Sequence, residues 1–103
     1  MKDLSQKGKI VMYMVSNQDT MWFYPYDFMK KALGNLFVGY EASARLSELR
    51  SEYPLIFKGQ KDGKYMMTRI DYEMLEKHQS KLPTELRLIF EEAEIINPEV
   101  DKF

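Results

Sequence analysis

The chain contains no cysteine, a single histidine (His78), and no apolar run long enough to cross a bilayer. Without cysteine there is no disulfide, no thiolate metal site, no iron–sulfur cluster and no cysteine nucleophile. One histidine cannot build a multi-histidine metal site. Near the start, the longest apolar stretch is Ile10–Val15, and no small-residue cleavage site follows it. These absences predict a cytoplasmic protein without a membrane partner. Gly-rich phosphate loops, metal-ligand spacings and activated-nucleophile patterns are also missing, which predicts a non-catalytic chain needing no cofactor. Neither tandem repeats nor low-complexity tracts occur.

What is present suits one compact domain. The 103 residues are 45% hydrophobic and 14% aromatic, enough for a core and too much for a disordered segment. A chain of this length hides roughly two-thirds of its extended surface on folding. Fifteen Lys plus Arg stand against sixteen Asp plus Glu, which excludes a highly basic nucleic-acid coat.

Periodicity predicts the elements. Leu4, Lys7, Val11, Met14 and Val15 trace an imperfect helical stripe over Leu4 to Asn17, with Gly8 weakening its first turns. Met21, Trp22, Phe23 and Tyr24 form a bulky extended piece ahead of Pro25. A helix from Pro25 to Leu33 follows, with Tyr26, Met29 and Leu33 on one side and Gly34 as its stop. Asn35 to Gly39 reads as a turn. The next helix, Tyr40 to Tyr53, has Ala42, Leu46, Leu49 and Tyr53 as its inward stripe, and Pro54 ends it. Leu55–Lys58 reads as a strand, Gly59–Gly63 as a turn and Lys64–Ile70 as the returning strand, with Leu55, Phe57, Tyr65 and Met67 packed. Tyr72, Leu75 and Gln79 fit a short helix. Beyond Pro83 a last helix carries Leu86, Ile89, Phe90, Ala93 and Ile96, with Thr84 or Ser80 as its cap and Pro98 as its end.

The predicted fold class is therefore α+β. Two central helices joined by a tight turn make a helix-turn-helix, and a β-hairpin wing directly after them makes a winged helix with an additional C-terminal helix. Residues 1–81 form that domain, and residues 82–103 form the C-terminal helix and acidic tail. The run Ala44-Arg45-Leu46-Ser47-Glu48-Leu49-Arg50, followed by Tyr53-Pro54-Leu55-Ile56, resembles the recognition-helix signature of winged helix-turn-helix domains in small phage and bacterial regulators. The resemblance spans Lys7 to Ile70. It implies a transcriptional or mobile-element regulator that binds double-stranded DNA.

Charge is unevenly spread. Residues 1–81 hold 13 Lys or Arg against 10 Asp or Glu, whereas residues 82–103 hold 2 against 6. In the basic part, the expected DNA-contacting residues are Ser43, Arg45, Ser47 and Arg50 on the 40–53 helix, Lys30 and Lys31 before it, and Lys58, Lys61 and Lys64 in the hairpin. Arginine reads guanine edges through two parallel hydrogen bonds, and hairpin lysines suit phosphate.

Several features have two readings. Trp22, Phe23 and Tyr24 either stack on bases in a single-stranded binder or seal the core beside the hairpin. The stripe Leu86, Ile89, Phe90, Ala93 and Ile96 either packs across the domain or pairs with its copy in a homodimer, which is the expected state. The alternative function is a protein-interaction module on the same scaffold, favoured by Glu41 and Glu48 on the third helix. His78 reads as a surface residue, Glu91, Glu92 and Glu94 as a solvated face, and Met66-Met67 as core filling split between two strand faces.

Overall fold

In a computed structural model the chain is described over residues 4–29 and 41–96. The expected helix beyond Met29, the turn over 35–39, Lys30, Lys31 and the tail after Ile96 lie outside the described residues.

Helix α1 runs from Gln6 to Ser16. Ser5 caps it, its hydroxyl accepting the Gly8 N–H at 3.1 Å. Ile10, Val11, Met14 and Val15 are buried at helical spacing. Asn17 closes the helix with its backbone N–H on the Met14 carbonyl and its side-chain amide on that of Tyr13. At Gly8 a Cβ would lie 2.9 Å from Glu85 Oε1, so the glycine lets that carboxylate approach the helix closely. That carboxylate accepts the Ser5 backbone N–H at 2.9 Å and the Ser5 hydroxyl. It thereby ties the start of α1 to the last helix.

The next stretch contains a single antiparallel bridge. Phe23 exchanges backbone hydrogen bonds with Thr68, at 2.8 and 2.9 Å. Pro25–Met29 then forms a 3-10 helix that buries Phe28 and leaves Tyr26 exposed.

Helix α2 spans Glu41–Glu52 and buries Ala42, Leu46 and Leu49, with Tyr53 packed just beyond its end. The hairpin consists of β1 (Phe57–Asp62) and β2 (Tyr65–Ile70). Phe57 pairs with Ile70 and Asp62 with Tyr65. The turn is thus only Gly63-Lys64, with Gly63 at φ +61°, a left-handed conformation that glycine adopts without a Cβ clash. This corrects the expected Gly59–Gly63 turn: the ladder continues through Gly59, Gln60, Lys61 and Asp62.

The register also corrects the packed face. Paired residues share one side of an antiparallel ladder. Phe57, Gly59 and Lys61 therefore lie with Ile70, Thr68 and Met66, while Tyr65 and Met67 fall on the opposite face. Phe57, Thr68 and Ile70 are buried, but Leu55 and Tyr65 are exposed.

Helix α3 (Tyr72–His78) is capped by Asp71, whose carboxylate accepts the Met74 N–H at 3.1 Å. A 3-10 turn over Gln79–Lys81 leads to α4 (Thr84–Glu92). Pro83, rather than Thr84 or Ser80, occupies the cap position of α4, without a side-chain hydrogen bond.

Leu86, Ile89, Phe90 and Ile96 are buried in the same core as Val11, Leu46 and Phe57, with Ala93 packed against it. The α4 stripe thus packs within the chain, and its assignment as a dimer face is corrected. Its apolar atoms are already covered, which leaves them no surface to bury against a copy. Among the described residues, no helix is long and apolar enough to cross a membrane.

Candidate nucleic-acid interface

Helix α2 and the hairpin that follows it carry most of the predicted site. Ser43 and Ser47 are exposed, four residues apart on the outer side of α2. The two arginines are engaged differently.

Arg45 turns toward α1. Its guanidinium donates to Gln6 Oε1 at 3.0 Å and pairs with Glu48 at 2.7 Å. Its Nε is buried without a hydrogen-bond partner. Lys7 adds ion pairs to Glu48 at 3.3 Å and to Glu52 at 2.9 Å, so the flank of α2 facing α1 is a mixed-charge seam. The hydrogen bond to Glu52 raises the Lys7 pKa above its usual value.

Arg50 turns toward the hairpin. Its Nη1 donates to the hydroxyl of Thr68, which is fully buried. Its stem lies over Gly59, where a Cβ would come within 2.7 Å of Arg50 Cδ. Burial lowers the Arg50 pKa from its usual value. Both half-buried arginines thus make intrachain contacts, Arg45 toward α1 and Arg50 toward the hairpin. The charge was legible in the sequence, but the partners come from distant segments.

The hairpin lysines do not gather on one side. Lys58 lies on the outer face opposite Arg69, Lys61 on the face shared with Met66, and Lys64 at the turn. Lys61 and Lys64 are exposed and Lys58 is half-buried.

The aromatic run divides by strand alternation around the Phe23 bridge. Phe23 is buried against Tyr13 and Phe28, with ring centroids 6.1 and 5.9 Å away. Trp22 lies under the Arg69 guanidinium, 5.5 Å from its ring centroid, on the outer face. Tyr24 joins Tyr26 and Tyr65 in a surface cluster that sequence reasoning missed. Tyr24 and Tyr26 stack at 5.1 Å and 15°, and Tyr65 meets both edge-on, at 6.0 and 5.7 Å. The Tyr24 hydroxyl donates to the Asp62 carboxylate, and this hydrogen bond pushes the tyrosine pKa up to about 12. The signal that locates Tyr65 is the Asp62-Gly63 dipeptide, once the two-residue loop Gly63-Lys64 is used to count the alternation.

No family model matches this chain, and neither a curated protein nor a solved structure is significantly similar to it.

Proposed function

We propose that the chain is a cytoplasmic, non-catalytic winged helix-turn-helix module that binds double-stranded DNA in a sequence-directed way and serves as a transcriptional or mobile-element regulator. The observation that carries this reading is the way the extended pieces join. Phe23, between α1 and α2, bridges to Thr68 on β2, and β2 returns from a hairpin placed directly after α2. This order supports a wing beside a recognition helix. In that arrangement a helix lies in the major groove and the hairpin reaches the neighbouring backbone.

The assignment of roles follows side-chain direction. Ser43 and Ser47 face outward and reach base edges or sugar–phosphate. Lys61 and Lys64 contact phosphate, joined by Lys58, Lys30 and Lys31. Arg45 and Arg50 are positioning residues, holding α2 against α1 and against the hairpin. A homodimer would present two such units to a palindromic site. Sedimentation showing only monomer at micromolar concentration removes that part.

The test is selection from a random duplex library at two salt concentrations. Saturable enrichment of one motif, weakening as salt rises, supports the proposal. No retention at low salt overturns it in favour of a second reading, a protein-interaction module. That reading draws on Glu41 and Glu48 of α2, since carboxylates on a groove-facing helix repel phosphate.

A further inference from the structure

The tyrosine cluster beside the hairpin has no part in helix-in-groove binding, yet it is held in an ordered arrangement. Tyr24 is fixed at two points: its backbone N–H donates to Asp27 at 2.7 Å, and its hydroxyl donates to Asp62. Tyr26 stacks on this anchored ring, and Tyr65 closes the cluster edge-on. Tyr26 nevertheless remains 46% exposed and Tyr65 43% exposed. The rings therefore form a preorganised aromatic surface open to solvent.

The surrounding charge selects among occupants. From Phe57 to Ile70 the hairpin carries Lys58, Lys61, Lys64 and Arg69 against Asp62 alone. The Asp62 carboxylate is engaged by the Tyr24 hydroxyl. Lys64 Nζ sits 5.4 Å from the Tyr65 ring centroid, placing a cation beside the aromatic surface. Ordered rings beside Lys64 meet the two needs of a single strand: an exposed π-face for stacking and positive charge for the backbone. A proline-rich peptide also docks on aromatic surfaces, but it offers no phosphate to Lys64. Bases within a duplex already stack on both faces and cannot lie on Tyr26.

We propose that Tyr24, Tyr26 and Tyr65, together with Lys64, form a stacking site for unpaired bases of single-stranded nucleic acid. This site goes beyond duplex recognition by α2 and does not depend on it.

The test uses fluorescence anisotropy of the full chain with three labelled probes: an oligothymidine, an abasic oligomer with the same number of phosphates, and a random duplex. The oligothymidine is expected to bind more tightly than the abasic strand. Tyr26→Ala and Tyr65→Ala should each weaken oligothymidine binding by roughly five- to a hundredfold, as expected for lost base stacking. Tyr26→Phe should retain it, and duplex binding should stay unchanged in Tyr26→Ala. Equal affinity of the parent chain for the oligothymidine and the abasic strand overturns the proposal without requiring any variant to fold. So does absence of oligothymidine binding at low salt, or binding of a proline-rich peptide with no oligothymidine binding. Loss of duplex binding alone overturns the α2 reading and leaves this one standing.

Discussion

Replacing Arg50 by alanine separates an arginine that reads bases from one that holds the fold. Its Nη1 serves the hydroxyl of Thr68, a residue with no exposed surface, and its stem covers Gly59. Truncation removes a charge-assisted hydrogen bond worth about 1.5–3 kcal/mol and leaves a buried hydroxyl without that donor. The missing stem packing adds to this, so the expected destabilisation is about 2–3 kcal/mol. For a domain near this size, that lowers the melting temperature by roughly 10–20 °C. Thermal and urea unfolding of Arg50→Ala, Thr68→Val and the double variant supply the test. The two single changes should be non-additive, with a coupling of about 1 kcal/mol or more. If all three variants stay within about 0.5 kcal/mol of the parent and add independently, the structural role assigned to Arg50 is refuted.

Three further outcomes follow from particular residues. Glu94 sits at φ +59° just after α4, so Glu94→Gly should raise stability by about 0.5–1 kcal/mol; a lower melting temperature contradicts this reading of the helix end. Tyr24, held protonated by Asp62, should titrate near pH 12 by NMR, and Asp62→Asn should return it toward 10. The hydrogen bond stabilises the fold below the ordinary tyrosine pKa and is lost as pH rises through the folded one; titration of Tyr24 near 10 in the parent removes it. Leu86→Ala should cost about 2–5 kcal/mol in urea unfolding, because the side chain fills the chain's own core. A cost below about 0.5 kcal/mol would contradict the assignment of the side chain to the core.

Helix α2 was legible from spacing alone. Ala42, Leu46, Leu49 and Tyr53 sit at helical intervals, and Pro54 marks the end. The faces of the hairpin were not. Tyr65 and Met67 are as apolar as their neighbours, so composition could not say which alternate residues pack. The two-residue turn and the Phe57–Ile70 pairing decide it. The α4 stripe has the same spacing whether it covers its own core or a second copy, and only the tertiary arrangement assigns it to the core. The arginines illustrate a further limit. Gln6 and Thr68 lie far along the chain from α2, and the open path over Gly59 exists only once the hairpin has docked. Sequence shows that a side chain is charged, but folding determines whether the charge is free to meet a ligand.

The central claim is that duplex DNA is bound with the exposed hairpin lysines on its phosphates. It is tested most directly by the salt dependence of affinity for a duplex, measured for the parent and for the Lys61→Ala, Lys64→Ala double variant. Removing one lysine–phosphate pair should flatten the slope of log K against log salt by about 0.9, so the double variant should be shallower by about 1.8. An unchanged slope, or no duplex binding by the parent even at low salt, contradicts the account.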